Sequence, residues 1–223
     1  MMKSYVVSIL ETKMLTHDVI QIRTEKPVGY SFEPGQATDL AIYNKAWQQE
    51  KRPFTFTGTP DDAYLEFIIK IYAAHHGVTD QLRRVHPGDL LLIGEPWGAI
   101  QYNGKGLFIA GGAGITPFIS IFRQLAKQHA LAGNRLVFAN KTSEDIILEA
   151  ELDRLLGRNV VHILSNEMGG RYKAGFVTAA LIRENISDKQ DRFYLCGPPP
   201  MMTGVLGALV AMGIDEKAVT IEI

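Results

Sequence analysis

Among 223 residues there is a single cysteine, Cys196. One thiol excludes an intramolecular disulfide, a four-cysteine iron–sulfur cluster and a structural zinc site built of thiolates, so no metal centre is expected. Excess charge is also missing. The chain has 23 Lys and Arg against 24 Asp and Glu, a net charge of −1, so no bulk positive field draws it to nucleic acid or to anionic lipid. Long apolar runs are absent too: Leu206–Met212 is apolar but short and contains Gly207, so no membrane span is expected. The opening Met1-Met2-Lys3-Ser4-Tyr5 alternates too early for a signal peptide, and a cytoplasmic location is the expectation. No internal repeat or low-complexity tract is present. What remains is an ordinary globular composition, 46% hydrophobic and 21% charged, at a length that permits one large domain or two small ones.

Two rhythms divide the chain. Up to about residue 101, short β-rich runs follow one another: Tyr5–Thr12, Val19–Thr24, Ala37–Ile42, Arg52–Thr57, Leu65–Tyr72 and Leu90–Gly94. Turn signals such as Glu33-Pro34-Gly35 and His86-Pro87-Gly88-Asp89 separate them, and one helix is predicted near Thr79–Val85. Repeated short strands without long helices predict a closed antiparallel barrel. From residue 102 to 223 strands and helices alternate. Strands are expected at Leu107–Ala110, Leu136–Ala139, Val160–Leu164, Phe193–Cys196 and Val219–Ile223. Helices are expected at Pro117–His129, Ile146–Leu156, Val177–Glu184 and Met201–Met212. That pattern predicts a doubly wound α/β domain on a five-stranded parallel sheet. The boundary falls in Gln101–Gly106.

Four stretches carry chemistry. Ala110-Gly111-Gly112-Ala113-Gly114-Ile115-Thr116-Pro117 leaves a strand and opens a helix. Its glycines allow a tight turn and close backbone approach, with Thr116 as N-cap and Pro117 in the first turn; free amides at a helix start suit a pyrophosphate. The alternative is a tight turn with no ligand, and Pro117 stands where the usual Gly-x-Gly-x-x-Gly has its third glycine. Tyr194-Leu195-Cys196-Gly197-Pro198-Pro199-Pro200-Met201 ends a strand where ligands of such sheets bind, although a lone cysteine there is more often packing. Arg52-Pro53-Phe54-Thr55 offers a cation, a ring and a hydroxyl to a phosphate, a planar group and a ring nitrogen; by itself it equally fits a solvated arginine and one buried aromatic. Gly77-Val78-Thr79-Asp80 opens a helix that either cradles a phosphate or is merely capped.

In this order, together with Phe138-Ala139-Asn140-Lys141-Thr142-Ser143-Glu144-Asp145-Ile146 and Gly175-Phe176-Val177, these stretches resemble the ferredoxin–NADP reductase superfamily over essentially the whole chain. The C-terminal half resembles most its NADH–cytochrome b5 reductase branch. The resemblance implies a six-stranded FAD barrel followed by a domain for NADH or NADPH. It implies that Arg52 holds the flavin pyrophosphate beside Pro53, that Phe54 packs on the flavin and that Thr55 bonds near flavin N5. Ile69, Lys70 and Tyr72 would lie on the strand whose backbone meets the flavin. Gly77, Val78 and Thr79 would serve the FAD phosphates, with His75 and His76 in the loop nearby. Gly112, Gly114 and Thr116 would border the NAD(P) pyrophosphate and ribose; Cys196, Gly197 and Pro198 would flank the nicotinamide, Cys196 as a positioning residue rather than a nucleophile.

The sequence departs from the family in places. Phe54 replaces the usual tyrosine, keeping the stacking and losing the phenol. Leu164-Ser165-Asn166 replaces the branch's aspartate, which disfavours a 2′-phosphate, so Ser165 with Arg171 and Lys173 leaves NADPH open; both basic residues are otherwise simply solvated. The chain stops at Thr220-Ile221-Glu222-Ile223 without the terminal aromatic of plant-type reductases, which implies an uncovered nicotinamide face. Glu222 resembles the acidic residue near the end of many relatives, or is a solvated carboxylate. The function implied is electron transfer from NAD(P)H through FAD to a separate acceptor: flavodoxin, ferredoxin, a cytochrome or an oxygenase component. A free-flavin or quinone reductase and a non-turnover NAD(P)-sensing subunit are the alternatives.

Overall fold

The computed structural model describes residues 3–98, 100–186 and 191–221. The chain forms two compact units. One runs to Gly98 and takes in Thr116–Arg123; the other holds the rest. In the first unit, strands β1 (Tyr5–Thr16), β2 (Val19–Glu25), β3 (Ala37–Ile42), β4 (Arg52–Thr55), β5 (Tyr64–Lys70) and β6 (Leu90–Ile93) form an antiparallel sheet in the order β4-β3-β6-β1-β2-β5. Strand β1 serves two neighbours: Tyr5–Ser8 pair with β6 and Ile9–Thr16 with β2. Register shifts after Ile9 and after Met14 let it turn that corner. Alternation decides the faces, with Val7 and Ile9 buried and Val6 and Leu10 exposed. Among the described residues the two ends of the sheet meet at a single bridge, Phe56 to Phe67. Inside it Phe56 stacks on Phe32 with ring centroids 4.2 Å apart and meets Phe67 at 5.3 Å. The short helix α1 (Val78–Leu82) adds Val78 and Leu82 to the same core.

The α/β part follows in the expected alternation: β7 (Gly106–Gly111), α2 (Thr116–Lys127), β8 (Arg135–Asn140), α3 (Glu149–Leu156), β9 (Val160–Leu164), β10 (Lys173–Ala174), α4 (Ala179–Asn185), β11 (Arg192–Cys196), α5 (Pro199–Ala211) and β12 (Val219–Ile221). The strands are parallel, in the order β10-β9-β8-β7-β11-β12. The five expected strands are joined by a sixth, β10, whose two residues are too few to show a period; Gly169, Gly170 and Gly175, all at positive φ, surround it. Helix α3 starts at Glu149 rather than Ile146, because Thr142 and Asp145 form a capping box on a 3-10 turn and Leu148 is left-handed at φ 52°. Thr116 is not the N-cap of α2: a 3-10 turn over Gly112–Ile115 runs straight into the helix, so Ile115 holds that position and Thr116 is the first helical residue.

Beside the Phe56–Phe67 bridge lies the most buried ion network of the first unit. The Glu66 side chain is 1% exposed. Its Oε1 accepts from Arg123 Nη1 at 2.5 Å and from Thr57 Oγ1 at 3.0 Å, and its Oε2 accepts from Arg23 Nε at 2.9 Å. Arg123 also donates to the Thr57 carbonyl at 2.8 Å, and Ser120 Oγ to the Gly58 carbonyl at 2.6 Å. Burial alone would push the Glu66 carboxyl up; the Arg123 charge, with the bonds from Arg123, Arg23 and Thr57, outweighs it and holds the group below the usual glutamate range. A lowered folded value contributes stability that is complete above the unfolded value and is lost as pH falls through the folded one. Replacing Glu66 with glutamine removes the buried carboxylate that Arg123 and Arg23 share, although Arg23 keeps Glu11 at 3.0 Å, so Glu66→Gln should cost about 3 kcal/mol at neutral pH. The variant should also lack the share of acid destabilisation that Glu66 supplies below the ordinary glutamate range. Urea unfolding from pH 7 down to pH 3, wild type against variant, checks both; coincident curves would show that the network contributes nothing.

Candidate functional site

Two sites are built, one in each unit. In the barrel the Phe56–Phe67 bridge is antiparallel. Carried outward, its register would set Thr55 against Ile68, Phe54 against Ile69 and Arg52 against Ile71. No ladder forms there: among the described residues β4 pairs only with β3 and β5 only with β2. Two strand edges therefore stand opposite each other with unmatched backbone groups, the arrangement that accepts an inserted planar group with donors and acceptors on its rim. Pro53, which has no N–H, is tolerated on such an edge.

The side chains on this slot suit that guest. Arg52 is 52% exposed; Nη1 donates to the Lys51 carbonyl at 2.7 Å and Nη2 lies 3.2 Å from Glu50 Oε2. An ion pair so exposed is worth about 0–1 kcal/mol, and a phosphate can displace it. Phe54 is half-buried against the barrel core, and Thr55 is buried. On the facing strand Ile69 is in the core and Lys70 is paired with Asp18 at 2.6 Å, so the strand offers its backbone rather than its ammonium. Tyr72 is exposed and stacked on His75, centroids 5.6 Å apart. Its N–H donates to Thr79 Oγ1 at 3.3 Å, which ties the end of β5 to the start of α1, where Gly77 is the extended N-cap residue and Val78 is buried. The residues fit a planar heterocycle that carries a phosphate.

In the second unit the strand order reverses at β7: the chain steps through β8 and β9 on one side and returns to place β11 and β12 on the other. Ligands of such sheets bind beyond the carboxyl ends of the strands at such a reversal. The loops concerned are Gly111–Ile115 after β7 and Gly197–Pro198 after β11, and they touch. A Cβ on Gly114 would stand 2.7 Å from Gly197 Cα and press on the Cys196 carbonyl. One on Gly111 would stand 2.6 Å from Met201 Sδ, and one on Gly197 3.0 Å from Gly111 N. These glycines are therefore required by loop-on-loop packing. Gly112 is different. Its φ is +51° and a Cβ there would meet nothing within 4 Å, so it is the member of the loop that leaves its backbone open to a ligand. Cys196 is buried at the end of β11, its carbonyl against Gly114, and Pro198 is the extended residue preceding α5. Met201, which locks Gly111 and Gly197, carried no chemical signal in the sequence and was missed as a site residue.

The segment after β9 is set by ion pairs. Ser165 Oγ donates to Asn166 Oδ1 at 3.0 Å. Glu167 accepts from the amide and hydroxyl of Ser143 at 2.7 and 2.9 Å. Arg171 pairs with Glu149 at 2.5 Å and lies 3.6 Å from Asp153, and Lys173 pairs with Glu184 at 2.6 Å. Both basic residues that left NADPH open are thus already matched by carboxylates. Glu222 lies outside the described residues.

The comparisons with known proteins agree with this division. Residues 4–89 match an FAD-binding domain family and residues 108–206 an oxidoreductase NAD-binding domain family. The chain is 31% identical to NADH-cytochrome b5 reductase 1 of Aspergillus terreus, over 82% of this chain and 68% of that protein. It is 32% identical to nitrate reductase [NADH] 2 of Arabidopsis thaliana, over 88% of this chain and 25% of that protein. The solved flavohem-like FAD/NAD binding domain of nitric oxide dioxygenase from Vibrio cholerae O1 biovar El Tor superposes with a TM-score of 0.85 at 20% identity, covering 97% of each chain. The chain thus spans 65–68% of the fungal reductases' length and about a quarter of the plant enzyme's. A barrel open along one edge, a parallel sheet reversed at its glycine loop and sequence kinship over most of its length agree: the chain belongs to the ferredoxin–NADP reductase superfamily, beside the NADH–cytochrome b5 reductases.

Proposed function

We propose that the protein is an FAD-dependent NAD(P)H oxidoreductase that hands electrons from the nicotinamide coenzyme, by way of the flavin, to a separate acceptor. The observation that carries this reading is the open edge between β4 and β5, flanked by Arg52, Phe54 and Thr55, on a chain whose parallel sheet also reverses its strand order at a glycine loop. When bound, FAD supplies an acceptor for two electrons that can leave one at a time. The protein's own part is position. Arg52 holds a flavin phosphate, with the backbone of Gly77 and Val78 and the hydroxyl of Thr79. Phe54 packs on the ring, Thr55 offers a hydroxyl to its rim, and Ile69 to Tyr72 give backbone groups. Gly112 and Thr116 border the coenzyme pyrophosphate, and Cys196 and Gly197 flank the nicotinamide. Gly114 acts through its contact with the Cys196–Gly197 backbone. The relatives named NADH-cytochrome b5 reductase support a cytochrome among the acceptors.

NADH is the coenzyme we infer. Arg171 and Lys173 are engaged by Glu149 and Glu184, and Glu167 places a carboxylate on the Ser143 amide near the ends of β8 and β9, where a 2′-phosphate would be repelled.

Anaerobic titration tests the central reading: purified protein with its flavin should bleach near 450 nm on about one equivalent of NADH, following from two-electron transfer to one FAD. A flavin that stays oxidised under excess NADH and NADPH would reduce the protein to a binding module. Gly114→Ala should raise KM for NADH by about tenfold or more, because the new methyl forces the two loops apart by part of an ångström, and displacements of that order carry large rate penalties. FAD content should not change, and a variant with normal KM would show that loop contact is irrelevant to coenzyme binding. Ser165→Asp should raise the NADH-to-NADPH ratio of kcat/KM by about tenfold through repulsion of the 2′-phosphate. A ratio equal to that of wild type would place coenzyme choice elsewhere.

A further inference from the structure

Three metal-ligating side chains of the α/β unit, none of them used by the functional reading above as a ligand, converge between α3 and β9. Glu149 and Asp153 stand four residues apart on α3, so they share one face of the helix. His162 of β9 turns its ring toward them, with Nε2 2.9 Å from Asp153 Oδ1. One ligand atom from each of the three lies within 4.8 Å of the other two. Neighbouring rings set the imidazole: Phe138 with centroids 6.0 Å apart and Tyr172 edge-on at 6.1 Å. A positive charge already sits at the two carboxylates. Arg171 Nη2 lies 2.5 Å from Glu149 Oε1 and Nη1 lies 3.6 Å from Asp153 Oδ2, on a side chain that is 63% exposed.

The histidine gives the set its character. Its side chain is 8% exposed, and its one hydrogen-bond partner among the described residues is Asp153, itself a member of the set. Nδ1 is buried and bonded to nothing. A buried polar side chain ordinarily has its hydrogen-bonding capacity met, so this ring is under-used where it stands. In the neutral ring the Asp153 carboxylate holds the proton on Nε2. Moving that proton to Nδ1 breaks no bond at Nδ1 and turns the Nε2 lone pair toward the two carboxylates. One imidazole nitrogen and two carboxylate oxygens are three of the four donors of a tetrahedral zinc site, with the fourth position left to water. The set does not suit calcium or magnesium, which take six or more ligands, nearly all oxygen. The arginine does not bar such an ion. An ion pair as exposed as that of Arg171 is weak, and a divalent cation with directional bonds to the same oxygens outcompetes it.

We infer that Glu149, Asp153 and His162 form a binding site for a divalent transition-metal ion of the zinc type, and that the ion takes the place of the Arg171 guanidinium. The test is calorimetric titration of the full-length, flavin-loaded protein, freed of metal beforehand, with zinc chloride in a buffer without chelators. One equivalent of zinc should saturate the protein, and magnesium or calcium should give no such isotherm. His162→Ala should weaken zinc by at least about tenfold, the least that loss of a supporting group around a metal costs. Asp153→Asn, at a half-buried position, should do the same, and it keeps the test decisive if the His162 variant fails to fold. Arg171→Ala removes the competitor and should tighten zinc by about two- to fivefold, the range set by an exposed ion pair. His17→Ala and His86→Ala, at exposed histidines elsewhere, should leave the affinity within about twofold of wild type. Absence of a saturable site in wild type would overturn the inference. So would a site that survives both the His162 and Asp153 changes, or one lost with His17 or His86. Zinc affinity that is unchanged or weaker in Arg171→Ala would show that the arginine and the ion do not share one place.

Discussion

A six-stranded barrel with one backbone bridge between its terminal strands has to hold that seam by other means. Here the seam is Phe56 against Phe67, and the next residues on either side, Thr57 and Glu66, carry the reinforcement. Thr57 N donates to the Glu66 carbonyl at 2.9 Å, and the Glu66 carboxylate gathers Arg23, Arg123 and Thr57 around itself. The aromatic stack of Phe32, Phe56 and Phe67 fills the space beneath. Strength is concentrated at the seam, so the edge beyond it can stay open from Thr55 to Arg52 without the barrel unravelling. An open strand edge is ordinarily a hazard that invites pairing with other chains. Here it is short, holds a proline and begins at an exposed arginine, all of which discourage another strand, while its backbone groups remain available to a small planar partner.

The second unit solves the opposite problem, bringing two loops as close as atoms permit. Strands β7 and β11 are clamped at both ends. At their start Gly106 lies directly on the Arg192 backbone, and Tyr194 accepts from Asn103 N at 2.8 Å and donates to the Gly104 carbonyl at 2.7 Å. Burial raises the Tyr194 phenol to about 12, so it remains a donor throughout the physiological range. At their carboxyl ends Gly111, Gly114 and Gly197 interlock with the Cys196 backbone and Met201. Fixing both ends of one strand pair holds the two loops at its carboxyl end in a set position, which a flexible loop could not do.

Much of this was legible in the residues, for identifiable reasons. Alternation in Val6–Ile9 and turn pairs such as Pro34-Gly35 announced the barrel strands, and the change of period near Tyr102 announced the parallel sheet. The order of the Arg52, Gly77, Gly111 and Cys196 stretches carried the likeness to the superfamily to which the chain belongs. What stayed hidden depends on through-space contact. Strand β10 has two residues and no period of its own. Thr116 has the chemistry of an N-cap, but the 3-10 turn before it consumed that role. Three glycines that look alike in sequence divide in space, Gly111 and Gly114 serving packing and Gly112 facing open room. The clamp on Glu66 joins positions 57 and 43 residues apart from it in sequence, and nothing local marks Arg123 or Arg23 as its partners.

The proposed chemistry accounts for a structure in which charge networks and glycines dominate and catalytic-looking acids and bases do not. Transfer of a hydride or of single electrons between bound cofactors needs distance, orientation and exclusion of competing partners more than a proton donor. The buried groups Tyr30, Glu66 and Tyr194 are structural. Burial raises the Tyr30 phenol to about 12, and its hydroxyl donates to the Gly94 carbonyl at 2.9 Å. Glu66 is held ionised by two arginines, and Tyr194 is held neutral. Each keeps one protonation state across the range in which a cell operates, so the positions they secure do not drift with pH. In such a protein, binding depends on surfaces that stay fixed rather than on groups that titrate.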